Sequence, residues 1–405
     1  MVLLERLSMK IKDVACLVVD NFRTNWVFTV VTLENGIRGY GESTLIGTEL
    51  AVAALVELWK DRLVGQSVMD ASVIQARMQR ENYWLTGPVM SAALSAVDVA
   101  MWDAKAKVLG VPAYVLLGGK VREGVPVYGN GWFVGAKSPK EFGERARMTV
   151  DKGFRALKWD PFGAAYRTMD RAGINRAMEC VAAVRLAVGP DVDLLIEAHG
   201  RFDVKTAIDV GRALEEFRVG FMEEPVPPGR PEALAEVRRA VNIPIAAGER
   251  CYSRFDVANL VSTNAVDLLQ PDVVHIGGLS EMVYVNGIVD SASLPMSPHN
   301  PNGPVCNVAS LHCGMAWESV AWVETMMTDV PWRRLIADEG CRFEDGKLFL
   351  DDRPGLGLEL NLDEARKHPY QPHQLRHFSG KLTSIRPPDA VPFYDMAGPP
   401  QARAV

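Results

Sequence analysis

Residues 192–250 read VDLLIEAHGRFDVKTAIDVGRALEEFRVGFMEEPVPPGRPEALAEVRRAVNIPIAAGER. Three apolar runs stand in this stretch, at Val192–His199, Val219–Pro225 and Ile243–Glu249, separated by amphipathic stretches at Val204–Phe217 and Pro231–Val241. The runs are apolar almost throughout, as strands buried on both faces of a parallel sheet must be, and the stretches between them have helical length and period. Each run ends in ionisable residues: Glu197-Ala198-His199, Glu223-Glu224-Pro225 and Glu249-Arg250.

The alternation continues in both directions. Val125–Trp132 and Arg155–Asp160 precede it, and Val266–Asp272, Leu294–His299 and Ser319–Thr325 follow, which makes eight runs. Helical stretches at Pro139–Lys152, Asn175–Val188, Arg254–Thr263, Ser280–Ser293 and Val305–Ala316 fill the remaining gaps. Eight such units in ~200 residues predict an α/β fold, a modified (β/α)8 TIM-type barrel. Upstream the texture differs. Strand-like runs at Ile11–Asp20 and Trp26–Leu33, a turn at Glu34-Asn35-Gly36, helical stretches near 49–63 and 70–81, and an Ala- and Ser-rich segment from Pro88 to Leu109 predict an α+β domain. The expected organisation is an N-terminal capping domain over 1–124, the barrel over 125–325, and a C-terminal segment, 326–405, that returns to the cap and ends in a loose tail around Gly398-Pro399-Pro400.

Composition bounds the function. Of 405 residues, 48% are apolar and 23% charged, which suits a soluble globular protein with a large core. A net charge of −6 argues against a nucleic-acid surface, because phosphate binding needs a basic face. No apolar run approaches the ~20 residues of a membrane span. Met1–Ser8 carries Glu5 and Arg6 within its apolar stretch and makes a poor signal peptide. The six cysteines are scattered with no CxxC pair, as expected of reduced thiols in a cytoplasmic protein.

The active site of such a barrel lies at the C-terminal ends of its strands, where this sequence concentrates ionisable residues. Buried charges must be paired or bind a metal. Glu197, Glu223 and Glu249 end three successive strands at intervals of 26 residues. Three carboxylates without cysteine favour one hard cation, Mg²⁺ first and Mn²⁺ second. Asp272 and His299 end adjacent strands and suit a general-base pair, the carboxylate fixing the imidazole tautomer. His199 shares a face with Glu197 and is read as a fourth ligand, a catalytic acid or a satisfied core histidine. Lys158 and Asp160 share a face at the end of the second strand. The remaining histidines (275, 312, 368, 373 and 377) read as structural.

With these motifs in place, Glu223-Glu224-Pro225, Ala247-Gly248-Glu249-Arg250, Gln270-Pro271-Asp272 and His299 stand in the order of a known family. The chain resembles the enolase superfamily, its mandelate racemase subgroup, and within that the galactonate- and gluconate-type sugar-acid dehydratases. Sites of this superfamily use a Lys or His base with Mg²⁺. The resemblance implies metal ligation by Glu197, Glu223 and Glu249, and α-proton abstraction by His299 with Asp272. It implies His199 as general acid and Glu324 as the acid bonded to the enolate oxygen. Many members carry Lys-x-Lys on the second strand; here it is Lys158-Trp159-Asp160, so Lys158 is left to neutralise a substrate carboxylate and a two-base racemase is disfavoured. Substrate contacts are expected from Asp160 and from the cap loop carrying Arg23, Asn25 and Trp26, with Ser43–Glu49 beside it and Phe162–Ile174 as a lid. The implied reaction is Mg²⁺-dependent β-elimination of water from an aldonate or aldarate to a 2-keto-3-deoxy acid, by a homo-oligomer with no membrane or nucleic-acid partner. An epimerase or cycloisomerase on the same scaffold, and a non-catalytic sugar-acid binding protein, are the alternatives.

Overall fold

The computed structural model describes residues 9–84, 87–374 and 376–396; Met1–Ser8 and the Gly398-Pro399-Pro400 tail lie outside them. The chain opens with an antiparallel sheet of three strands, β1 (Ile11–Asp20), β2 (Asn25–Leu33) and β3 (Arg38–Glu42), in the order β1-β2-β3. Helices Glu49–Leu63, Ala71–Glu81 and Pro88–Leu109 follow. The last is buried on nearly every side, which its alanines and serines permit. It lies against β3 with no room between the backbones. A Cβ built on Gly39 would sit 2.0 Å from the Ala100 carbonyl oxygen, and one on Gly41 1.8 Å from that of Ala96. Any side chain there would push sheet and helix apart.

Parallel strands β4 (Val125–Asn130), β5 (Ala156–Trp159), β6 (Asp193–Glu197), β7 (Phe221–Glu223), β8 (Ile245–Ala247) and β9 (Leu268–Leu269) then pair in sequence order. The barrel closes where β10 (Val323–Met326) pairs in parallel with β4. The seventh position was expected to be a strand over Leu294–His299. It is a single bridging residue, Met296, set between Leu269 and Val320. Pro295 and Pro298 flank it, and neither has an N–H to give the ladder. Met296 and Ser297 still donate to Ser319 and Leu269, so the wall stays continuous.

Strand alternation builds the site. The barrel interior holds a layer of Tyr128, Ala156, Leu195, Phe221, Ala246 and Leu268, one from each of β4 to β9. Two residues further along, the next inward positions are Asn130, Lys158, Glu197, Glu223, Gly248 and Gln270. An apolar plug is thus followed, toward the strand C-termini, by a mostly polar ring.

The cap is tied to the barrel by buried polar contacts. Glu42, at the end of β3, accepts from the backbone N–H of Gly303, Val305 and Cys306 at 2.6, 3.1 and 3.1 Å, at the N-terminus of helix Pro304–Ala316. A carboxylate suits the positive end of a helix, but burial outweighs these bonds and pushes Glu42 up to about 7. Downstream of β10, the hairpin β11 (Arg342–Glu344) and β12 (Lys347–Phe349) pairs with the start of β4. The chain then reaches β1, where Asp20 N–H donates to the His368 carbonyl at 2.9 Å. It continues to Thr383, whose carbonyl accepts from Gly135 N–H at 2.7 Å. No helix among the described residues is long and apolar enough to cross a membrane.

Candidate active site

The polar ring opens into a cavity of about 270 Å³. Lys158, Asp160, Glu197, His199, Glu249, His299 and Glu324 line it, with Arg23 from the cap. Glu197, Glu223 and Glu249 each bring a carboxylate oxygen within 4.8 Å of the others. Lys158, 2% exposed, places Nζ 2.8 Å from Glu223, 3.1 Å from Glu324 and 3.5 Å from Glu197. One ammonium serves more carboxylates than it can neutralise. Burial, and after it the Glu223 charge, hold Glu197 well above the usual carboxylate range. Glu223 Oε1 is buried without a hydrogen-bond partner among the described residues. A cluster short of positive charge, with an unsatisfied buried oxygen, fits a hard divalent cation bound by Glu197, Glu223 and Glu249.

Two histidine–carboxylate pairs open on the same cavity. His299 Nδ1 lies 2.7 Å from Asp272 Oδ2, and its Nε2 lies 3.0 Å from Glu249 Oε2. Burial disfavours the imidazolium, yet Glu249 and Asp272 prevail and raise His299 to about 9. Asp272 itself is held low: burial opposes ionisation, but His275, His299 and the Val274 N–H favour it. Just beyond the C-terminal ends of β5 and β6, His199 Nδ1 lies 2.7 Å from Asp160 Oδ2. His199 takes a left-handed φ of +51°, and its N–H reaches back to Glu197 Oε1. For a non-glycine residue this is a sparsely populated conformation, of the kind that gathers at functional sites.

Several expectations change. Asp160 does not offer itself to a ligand: Oδ2 is shared by His199 and the Arg201 guanidinium, and Oδ1 accepts from Phe162 N–H at 2.9 Å. It orients His199. Asn25 and Trp26 are not among the cavity-lining residues. Asn25 exchanges hydrogen bonds with the Gln371 backbone at 2.8 and 2.9 Å, and Trp26 is buried in the core. Arg23 does reach the cavity wall, its Nη2 donating to the Pro301 carbonyl at 3.0 Å. The expected Phe162–Ile174 lid lies aside, with Phe162 packed edge-on against Phe202. Closure comes from Thr44, Leu45 and Ile46 and from His377, Phe378, Leu382 and Ile385 of the returning segment. Glu324 was expected to act as an acid. Burial opposes its ionisation, but Lys158, His299 and hydrogen bonds from Asn130 and Asn300 hold it below the usual range.

Two histidines read as structural belong to the site. His275 Nδ1 lies 3.2 Å from Asp272, and its Nε2 is 2.8 Å from the Thr44 carbonyl, linking the base pair to the cap loop. His377 packs edge-to-face on His199 with ring centroids 4.6 Å apart. Arg201 was also missed. It is fully buried, holds Asp160, and donates to the carbonyls of Ala198 and Gly163, each at 2.9 Å. Its signal was the segment His199-Gly200-Arg201, two residues beyond a site histidine.

Comparison with known proteins accords with this geometry. Residues 141–365 match the enolase C-terminal domain-like family, and residues 15–118 match the mandelate racemase / muconate lactonizing enzyme N-terminal domain. The chain belongs to the mandelate racemase and muconate lactonizing enzyme family of the enolase superfamily. It is 34% identical over 347 residues to a D-gluconate dehydratase of Thermoproteus tenax, covering 85% of this chain and 70% of that one. It is 34% identical over 339 residues to a D-gluconate/D-galactonate dehydratase of Picrophilus torridus, covering 82% and 86%. A solved enolase superfamily member from Salmonella Typhimurium superimposes with a TM-score of 0.84 at 28% identity, covering 89% of this chain and 98% of that one. The chain is accordingly an enzyme, a carbon–oxygen lyase of the hydro-lyase kind.

Proposed function

We propose that this enzyme removes water from a sugar acid, an aldonate or aldarate, to give a 2-keto-3-deoxy acid. The observation that carries the reading is the pair of carboxylate-oriented histidines, His299 and His199, facing one cavity beside the Glu197, Glu223 and Glu249 cluster. Elimination of water α,β to a carboxylate needs one group to take a proton from C2 and another to give one to the departing C3 hydroxyl. The names of the relatives support the same substrate class.

Asp272 fixes a proton of His299 on Nδ1, so that in the neutral ring, the form reached as pH rises toward about 9, Nε2 accepts the C2 proton. Lys158 offsets the negative charge that grows on the substrate carboxylate as that proton leaves. Glu197, Glu223 and Glu249 would hold Mg²⁺ (or Mn²⁺), which when bound would supply Lewis-acid stabilisation of that carboxylate. His199, oriented by Asp160, gives a proton to the C3 hydroxyl, which departs as water. The remaining enol tautomerises to the 2-keto acid. Glu324, held ionised, anchors Lys158 and the Asn300 backbone. Arg23 faces the substrate from the cap.

Incubation with a panel of mono- and diacid sugars and Mg²⁺ in deuterated water tests the reading. A product that reacts with semicarbazide supports it. Deuterium in an unreduced acid or lactone would instead make the enzyme an epimerase or cycloisomerase. Binding without either outcome would leave a sugar-acid binding protein. Glu223→Gln is expected to fold with an unchanged circular dichroism spectrum and to lose turnover, as is wild type in EDTA; full activity in either case sinks the metal assignment.

A further inference from the structure

The cavity wall contributed by the cap loop and the returning segment is apolar at Leu45, Ile46, Phe378, Leu382 and Ile385. His377 interrupts it. Its Nδ1 is buried and has no hydrogen-bond partner among the described residues. Burial, and after it the nearby charges of His199 and Arg23, keep the ring neutral. Its place is not accidental. The ring stands edge-on to His199 at a centroid distance of 4.6 Å, and its backbone carbonyl accepts from Arg201 Nη2 at 3.3 Å. The guanidinium that holds Asp160 therefore also fixes His377. Close by, Arg23 keeps a buried Nε without a hydrogen-bond partner among the described residues.

Buried polar nitrogens in native structures are almost always satisfied, and an unsatisfied one in a ligand cavity calls for a ligand atom. A neutral imidazole presents one donor and one acceptor. A hydroxyl, which also donates and accepts, matches it. An apolar wall broken by a single such group reads a particular position along an acyclic chain.

We propose that His377 is a specificity-determining residue whose imidazole hydrogen-bonds a hydroxyl on the carbons beyond C3 of the sugar acid. The proposal rests on the dehydratase reading for the identity of the ligand. It places selection by chain length in the segment that follows the barrel, beside the acid histidine, and not in the cap alone.

The test uses the full-length enzyme with Mg²⁺ and a series of aldonates of three, four, five and six carbons. Binding is measured by calorimetry and keto-acid formation in parallel, for wild type, His377→Leu and His377→Gln. Loss of a neutral hydrogen bond is expected to weaken binding and kcat/KM of the long acids about 10-fold in His377→Leu. The effect should fall on KM, leave the three-carbon acid unchanged, and be partly restored in His377→Gln. An equal loss at every chain length, or a loss confined to kcat, would make His377 a support for His199 and overturn the proposal. No loss at all would assign its nitrogen to water and overturn it as well. Length-dependent binding without any keto acid would sink the dehydratase reading and spare this one. Keto-acid formation with a length-independent effect would do the reverse. Wild type that binds none of the acids would end both.

Discussion

His299 and His199 each hold Nδ1 2.7 Å from an aspartate, and each lines the same cavity, yet what surrounds the two pairs differs. Asp272 also accepts from Asn302 and the Val274 N–H, both at 2.8 Å, and lies 3.2 Å from His275 Nδ1. Asp160 is shared with the guanidinium of Arg201. Beyond the ring, His299 meets a carboxylate, Glu249, whereas His199 meets a neutral imidazole, His377. Two copies of one motif are thus set in opposite electrostatic surroundings. A ring flanked by two carboxylates is built to receive a proton. A ring whose aspartate is already engaged by a guanidinium, and whose face is covered by another ring, is built to be held still while it gives one up. The difference lies in the partners of the partners, and there the proposed division into base and acid can be broken.

The largest effect is expected at the base. His299→Asn should lower kcat by about 10³-fold or more and abolish exchange of the C2 proton with deuterated water, because His299 is the proposed base. Circular dichroism should show the fold retained. His199→Asn should also lose dehydration, by about 10²- to 10⁴-fold, but keep C2 exchange, since proton removal does not need the acid. Mass spectrometry of recovered substrate decides this. Exchange lost in both variants would make the two rings act in one step, and exchange lost only in His199→Asn would invert the assignment.

Arg201 sharpens the contrast from behind. It is fully buried and ties Asp160 to the backbone of Ala198, Gly163 and His377. Arg201→Met leaves Asp160 as a buried charge without its cation, a loss of about 3–5 kcal/mol for such pairs. Urea unfolding should show it, and C2 exchange by His299 should persist in the folded fraction. A variant as stable as wild type would mean that Asp160 finds its compensation elsewhere.

The barrel and its ring of strand-end groups were legible because both obey a period. Continuous apolar runs mark buried parallel strands, and side chains two apart share a face. Glu197, Glu223, Glu249, Asp272 and His299 could be placed at one mouth without knowing any contact. Residues fixed by contacts between distant segments could not. Asp160 was assigned its face, but its partner Arg201 stands 41 residues further on, beyond a helix, a strand and a turn. His377 lies on an irregular stretch that meets the cavity only after crossing from the cap. Trp26 misled for a different reason. β2 is buried along almost its whole length, so alternation gives no clue to which face looks toward a ligand. The seventh strand was over-read because an apolar run resembles a strand even where two prolines withdraw its donors.

His312 provides the control for both pairs, a histidine with no carboxylate in hydrogen-bond reach among the described residues. It is buried in helix Pro304–Ala316, and its Nδ1 accepts from the Tyr114 N–H at 3.2 Å. Burial lowers it from the ordinary 6.5 to about 4. Between those two values the unfolded chain binds a proton that the folded chain refuses. Stability must therefore fall as pH drops from 6.5 toward 4, and lie level above 6.5 as far as this group is concerned. At 1.36 kcal/mol per unit the full loss is about 3 kcal/mol. Glutamine at this position can still accept from Tyr114 but does not titrate. His312→Gln is expected to lose less stability than wild type over that pH interval, by about that amount, when both are unfolded in urea at a series of pH values. Parallel curves for the two proteins would move the acid sensitivity to carboxylates instead.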